Sequence, residues 1–266
     1  TVRRLRRGLT NALRSAEKRC WRDEQLRGEL SQRTLYRLCM DRPRLDIFRI
    51  RSTVQGKSTA VSIVLDASGS MHNRKMDVAR KAVRVLLEAL ADLRIATEAF
   101  TFTTGDRVDV QRILQETGLE ASKLRERYGR LSNLEIGLIK RFEDPVNLAL
   151  ERLPAIHGTG LTPLGEAMQI GAARLMPRPE TRKILLVLTD GKAGCDGGGE
   201  AASAHAEHIA GLINKAGIEL VGVGIQDDSV RAIVKDAIVL QELEDLPAQL
   251  CKLLGRTLTK GVQRVG

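Results

Sequence analysis

Residues 59–71 read TAVSIVLDASGSM, an apolar run that halts at Asp66 and gives way to small, hydroxyl-bearing residues. The first eight, rich in β-branched side chains, predict a strand buried on both faces, the kind found in a parallel sheet covered by helices. Ser68 and Ser70 stand two apart, so in extended backbone both hydroxyls project to the same side, where Asp66 can share a ligand with them. A core strand that ends in a carboxylate and two serines is built like the lip of a binding site.

The chain on either side repeats the strand–helix alternation. Residues 74–92 place Met76, Ala79, Val83, Leu86, Leu87 and Leu90 on one helical face. A strand is expected over 95–103, a shorter one over 107–114, and an irregular, partly helical stretch over 115–142. Helices follow at 143–153 and 163–176, separated by a loop at 154–161. RKILLVLT (182–189) predicts a second buried strand, ending at Asp190-Gly191. A glycine-rich loop at 191–199, expected to be mobile and to have a binding role, leads into a helix at 200–216. Strands at 218–225 and 237–240 and a last helix near 242–258 complete the pattern. Upstream, residues 45–52 and 59–66 flank VQGKST and predict a β-hairpin. Residues 32–39 predict a short helix, and residues 1–20 an amphipathic basic helix with Val2, Leu5, Leu9, Leu13 and Ala16 on its stripe. The expected fold class is α/β: a doubly wound, mostly parallel, Rossmann-like sheet with helices on both faces. A basic helical segment (1–44) is expected to pack on the main domain (45–266).

Composition narrows the function. Of 266 residues, 42% are hydrophobic and 29% charged, the balance of a globular chain, and no apolar run reaches the about 20 residues of a membrane span. The first residues are Arg-rich but lack the apolar run of a secretory signal. The net charge of +10 is concentrated: residues 1–56 hold 15 Lys and Arg against 6 Asp and Glu, leaving a net of +1 for the remainder. Nucleic-acid binding through this basic segment is the alternative function to weigh, although only Trp21, Tyr36 and Phe48 there could stack on bases. Cys20, Cys39, Cys195 and Cys251 form no CxxC pair, which predicts a reducing, cytoplasmic setting and no structural zinc.

In open α/β sheets, ligands bind at the carboxyl ends of the strands. Two strands here end in acids, Asp66 and Asp190, and GTGLTPLGEAM sets Thr162 just ahead of a helix. Three loops can therefore gather Asp66, Ser68, Ser70, Thr162 and Asp190 on one rim. Two carboxylates and three hydroxyls, with room for water, suit a hard divalent cation: Mg²⁺ first, with Mn²⁺ or Ca²⁺ as alternatives. Catalysis would need a general base as well, and His72 and His157, the nearest in sequence, read as solvated loop residues. His205 and His208 share a helical face but lack a third zinc ligand. QGKST is no phosphate loop, because Arg51 stands where its first glycine belongs, and ASGSM has Asp66 where a nucleophile elbow has glycine.

DASGS, the Thr162 loop and LTDG together resemble the metal-ion-dependent adhesion site (MIDAS) of von Willebrand factor A (VWA) domains, over about residues 59–258. That resemblance implies that Ser68, Ser70 and Thr162 are direct ligands, that Asp66 and Asp190 hold the ion directly or through water, and that a partner's acidic residue fills one remaining position. RLRRGLTNALRSAEKRCWRDEQLRGELSQRTLYRL, FTTG (102–105) and RPETRKILLVLTDG are similar to the C-terminal region of the cobaltochelatase CobT family. HGTGLTPLGEAM is closer to the general VWA form. The CobT likeness implies a non-catalytic, protein-binding module beside a AAA+ ATPase of the MoxR/CobS type, in a complex that inserts cobalt during cobalamin biosynthesis.

Overall fold

The computed structural model describes residues 19–40, 44–53, 58–107, 109–118, 132–196 and 199–241, with the single positions 7, 120, 123 and 249. Three strands come first: β1 (Arg19–Gln25), β2 (Glu29–Leu30) and β3 (Phe48–Thr53), in the order β1-β3-β2. Both pairings are antiparallel, with Trp21 opposite Arg51 and Leu30 opposite Phe48. A short 3₁₀ helix, Leu35–Cys39, lies within the helix expected at 32–39. Arginines of this unit are paired with its own acids: Arg37 bonds Glu24 and Asp46, each at 2.6 Å, and Arg49 meets Glu29 at 3.2 Å.

The expected hairpin is corrected here. Phe48–Thr53 and Thr59–Asp66 are both strands, but β3 pairs with β1 and β2, whereas Thr59–Asp66 enters a different sheet. The expected helix over 1–20 lies outside the described residues apart from Arg7, Arg19 and Cys20, and the last two open β1.

The main unit runs β4 (Thr59–Asp66), α1 (Arg74–Asp92), β5 (Ala96–Arg107), α2 (Val110–Thr117), β6 (Ser132–Lys140), α3 (Val146–Arg152), α4 (Leu164–Leu175), β7 (Arg182–Thr189), α5 (Gly199–Lys215), β8 (Glu219–Ile225), α6 (Val230–Ile233) and β9 (Asp236–Leu240). Its six strands are ordered β6-β5-β4-β7-β8-β9. All neighbours are parallel except β5 and β6. Two expectations fail in this region. Residues 110–117 form a helix rather than a strand, capped by the Asp109 carboxylate, which accepts from Arg112 N at 3.1 Å, and closed by Gly118 at φ 65°. Residues 132–140, expected to be irregular, form the antiparallel edge strand. The final helix expected near 242–258 falls outside the described residues, save for position 249.

Alternation along β4 explains its unbroken apolar run. Val61, Ile63 and Leu65 pack with α1 and α3 on one face, whereas Ala60 and Val64 pack with α4 and α5 on the other. Gly171 lets α4 sit close to the sheet, since a β-carbon there would lie 2.5 Å from Leu185 Cδ1. On that same face the buried Glu98 of β5 accepts from Ser62 Oγ and Arg174 Nε, each at 2.8 Å. Burial nevertheless pushes its carboxyl above the ordinary range. Arg182 forks onto Glu219 at 2.7 and 2.8 Å and pins the start of β7 to β8.

Leu186 of β7 is fully buried under α1. Its replacement by alanine should cost about 2–5 kcal/mol, read as a lower midpoint in urea unfolding with an unchanged slope.

Candidate metal centre

The adjacency of β4 and β7 builds the centre. Their parallel register sets Leu65 beside Leu188, so the residues that follow, Asp66 and Thr189, emerge together at the carboxyl rim. Thr189 Oγ1 donates to Asp66 Oδ2 at 2.6 Å, and Asp66 Oδ1 accepts from Ser68 N at 2.8 Å, which curls the chain into its turn. Ser68 Oγ lies 3.1 Å from Ser70 Oγ, and Ser70 Oγ donates to Asp190 Oδ1 at 2.7 Å. Four of the five oxygen-bearing residues singled out by the motif thus form one connected chain. Asp66, Ser68 and Asp190 are buried, whereas Ser70 is exposed and opens the group to solvent.

The third loop is laced to the first by backbone. Thr159 N donates to Ala67 O at 2.7 Å, and Gly69 N to Gly160 O at 2.9 Å. Gly158 is required by close approach, because a β-carbon there would stand 2.6 Å from Ser68 O. Thr103 donates its hydroxyl to Thr159 O, tying this loop to β5. Thr162 is buried, and its carbonyl accepts from Gly194 N at 3.0 Å. Its hydroxyl is not part of the hydrogen-bonded chain. The glycine-rich loop is therefore anchored at Gly194, beside the buried Ala193, and Ser132 Oγ donates to Asp196 Oδ2 at 2.8 Å.

Two rim residues lie outside the motif pattern. Thr189 holds Asp66, and Lys75, in the first turn of α1, places Nζ 2.6 Å from Asp190 Oδ2. Nothing in the apolar periodicity of 74–92 distinguishes Lys75 from a solvated lysine. The position of Thr189 immediately before an acid at a strand end is the signal that could have found it.

Burial pushes the Asp66 carboxyl up to about 6, against the pull of hydrogen bonds from Thr189 and Ser68, and the neighbouring charge of Asp190 adds to the rise. All the donors are oxygens, two are carboxylates and three are hydroxyls. This set fits a hard divalent cation, whose charge would relieve the unfavourable burial of Asp66. Other metal arrangements lack support: among the described residues no group of three or more His, Cys, Asp or Glu could hold an ion. His72 and His157 are exposed, and His205 Nδ1 stands 3.6 Å from Glu166 Oε2. Among the described residues, no helix is long and apolar enough to cross a membrane.

Residues 47–260 match the family model described as the cobalamin biosynthesis protein CobT VWA domain. Protein NorD of Brucella abortus (strain 2308) is 26% identical over 153 residues, 55% of this chain and 20% of NorD, and NorD of Brucella suis biovar 1 matches to the same extent. The chain thus spans about a fifth of the length of these relatives. Among solved structures, the vWF domain of the type V pili tip protein Mfa5 from Porphyromonas gingivalis superposes with a TM-score of 0.55 at 10% identity, covering 79% of this chain and 98% of that one. A von Willebrand factor type A protein from Catenulispora acidiphila gives 0.50 at 18% identity, covering 79% and 44%. At such identities these likenesses establish the fold alone.

The raised Asp66 carboxyl sets a pH signature in metal-free protein. The stability it contributes is fully present below the ordinary 3.8 and is lost as pH rises through about 6. Asp66→Asn removes the buried charge. In EDTA at pH 8 it should be more stable than the parent by up to about 3 kcal/mol, the gap closing as pH falls towards 4, measured by urea unfolding across pH.

Proposed function

This chain belongs to the CobT VWA-domain family, and from that premise we propose that it is a non-catalytic, Mg²⁺-dependent docking module for an acidic side chain of a partner protein. The observation that carries this reading is the chain of contacts Asp66–Ser68–Ser70–Asp190 across two neighbouring strand ends, with Ser70 open to solvent. In this reading Ser68, Ser70 and, from the neighbouring loop, Thr162 offer neutral oxygens, and Asp66 and Asp190 hold the ion directly or through water. Because three of these donors carry no charge, a bound divalent ion would keep a strong pull on an incoming carboxylate. The fixed backbone bonds between the first and third loops hold the hydroxyls in place beforehand, which lowers the ordering cost of docking.

The partner in this reading is a AAA+ ATPase of the MoxR/CobS type, the pairing that the family likeness implies, with this chain as adaptor. The process it would serve is a step of cobalamin biosynthesis, the pathway for which the family is named, as a subunit of an ATP-dependent, cobaltochelatase-type complex. The basic residues 1–56 supply the second reading, nucleic-acid binding. Arg37 and Arg49 weigh against it, since both engage carboxylates of the same N-terminal unit.

Co-purification of the full chain with its cognate ATPase tests the proposal. Complex formation should need Mg²⁺, disappear in EDTA, and be lost in Asp66→Ala and Thr162→Ala proteins that unfold as cooperatively as the parent. A complex indifferent to EDTA would remove the mechanism. A salt-sensitive shift of duplex DNA by the parent protein would favour the second reading instead.

A further inference from the structure

We infer that Lys75 is a tethered cation that neutralises Asp190 while the divalent ion is absent and is driven off by that ion, so that metal loading releases an ammonium group onto the rim. The inference rests on the metal reading of the site and adds to it a residue that neither the motif nor the family match assigns.

The two ends of the contact are unlike. The Asp190 side chain is 0% exposed, whereas that of Lys75 keeps 33% exposure, so the lysine reaches inward from the surface to a carboxylate that cannot move out to it. Both Asp190 oxygens are engaged, Oδ1 by Ser70 Oγ at 2.7 Å and Oδ2 by Lys75 Nζ at 2.6 Å. A divalent ion that takes Asp190, directly or through water, brings further positive charge to a carboxylate that Lys75 already neutralises. The serine hydroxyl can rotate and offer a lone pair to a cation. The ammonium has three donors and no acceptor, and it repels a like charge. Lys75 is therefore the group that leaves.

Local structure shows that this placement is built in. Asn73, between the metal loop and α1, has φ 52° and ψ −120°, a left-handed backbone that suits glycine better than asparagine. That joint fixes where the first turn of α1 points. Arg74 and Lys75 then open the helix, where the macrodipole disfavours positive charge, and Asp190 is the compensation for Lys75. Asp227, beyond the end of β8, is held below the ordinary carboxylate range by hydrogen bonds from Ser229 and, further, by the charges of Lys75 and Lys192.

The test uses the full chain and Mg²⁺ alone. Acetylation of lysines by an amine-reactive ester, followed residue by residue by mass spectrometry, should quicken several-fold at Lys75 on saturation with Mg²⁺, with no change at the distant Lys183. In calorimetric titration, Lys75→Met should bind Mg²⁺ roughly ten-fold or more tightly than the parent, and Lys75→Arg should not. Parent protein that binds Mg²⁺ with Lys75 labelling unchanged overturns the inference, as does weaker binding by Lys75→Met, which would make Lys75 a positioning residue for Asp190. Binding by Lys75→Met alone supports it and leaves the metal reading standing. Absence of binding by both proteins sinks the metal reading and the inference with it.

Discussion

Asp66 is a carboxylate with no exposed surface, and among the described residues it is met by neutral donors, Thr189 Oγ1 and Ser68 N. Burying a charge this way is unfavourable, and the sheet arranges the surroundings that tolerate it. β4 must lie beside β7 for Thr189 to reach Asp66, and the turn after Asp66 must be tight for Ser68 N to fold back. The loop at 158–162 must then press against that turn, which only a residue without a side chain allows at position 158. Each feature of the rim is a consequence of keeping one negative charge in place.

A second buried carboxylate sharpens the contrast. Glu98 sits on the neighbouring strand and is equally hidden, but Arg174 reaches it from α4 at 2.8 Å. That charge is answered from within the fold and fastens a helix to the sheet. Asp66 has no such counter-ion among the described residues, although the basic side chains of α1 begin only a few residues away. Glu98 and Asp66 thus differ in whether the fold itself supplies a cation, and Asp190, with Lys75 against it, stands between the two cases.

The parts legible in the sequence are those whose residues report their own environment. Strands buried on both faces, such as 59–66 and 182–189, are continuous apolar runs, and the helix at 74–92 has an unbroken stripe. Asp66, Ser68, Ser70 and Asp190 stand out because they sit at the ends of such strands, and Thr162 because it stands just ahead of a helix. β6 was illegible because an edge strand is half solvated: Asn133, Glu135, Ile136 and Gly137 are exposed, and a glycine interrupts its alternation. Val108 and Val110 alternate as in a strand, yet the cap at Asp109 and the glycine at 118 make 110–117 a helix. The failed hairpin has a different cause. Both segments are strands, but pairing depends on partners distant in sequence, and the residues of β3 contain no sign that theirs lie upstream in β1. Lys75 was hidden for the same reason, since its acid is 115 positions away.

The reversed direction of β6 has a bearing on how this fold diversifies. Ser132, its first residue, pairs with Arg107 near the end of β5 and touches Asp196 in the loop after β7, so the strand descends from the rim that the other five climb towards. Chain inserted ahead of Ser132 is therefore delivered at the mouth of the site rather than at its base. The β5–β6 register shifts at 99–100 and 104–107, whereas the ladders of the parallel strands behind it run without a shift. That approach can therefore be lengthened, shortened or rewritten while the oxygen cluster and the sheet beneath it stay untouched.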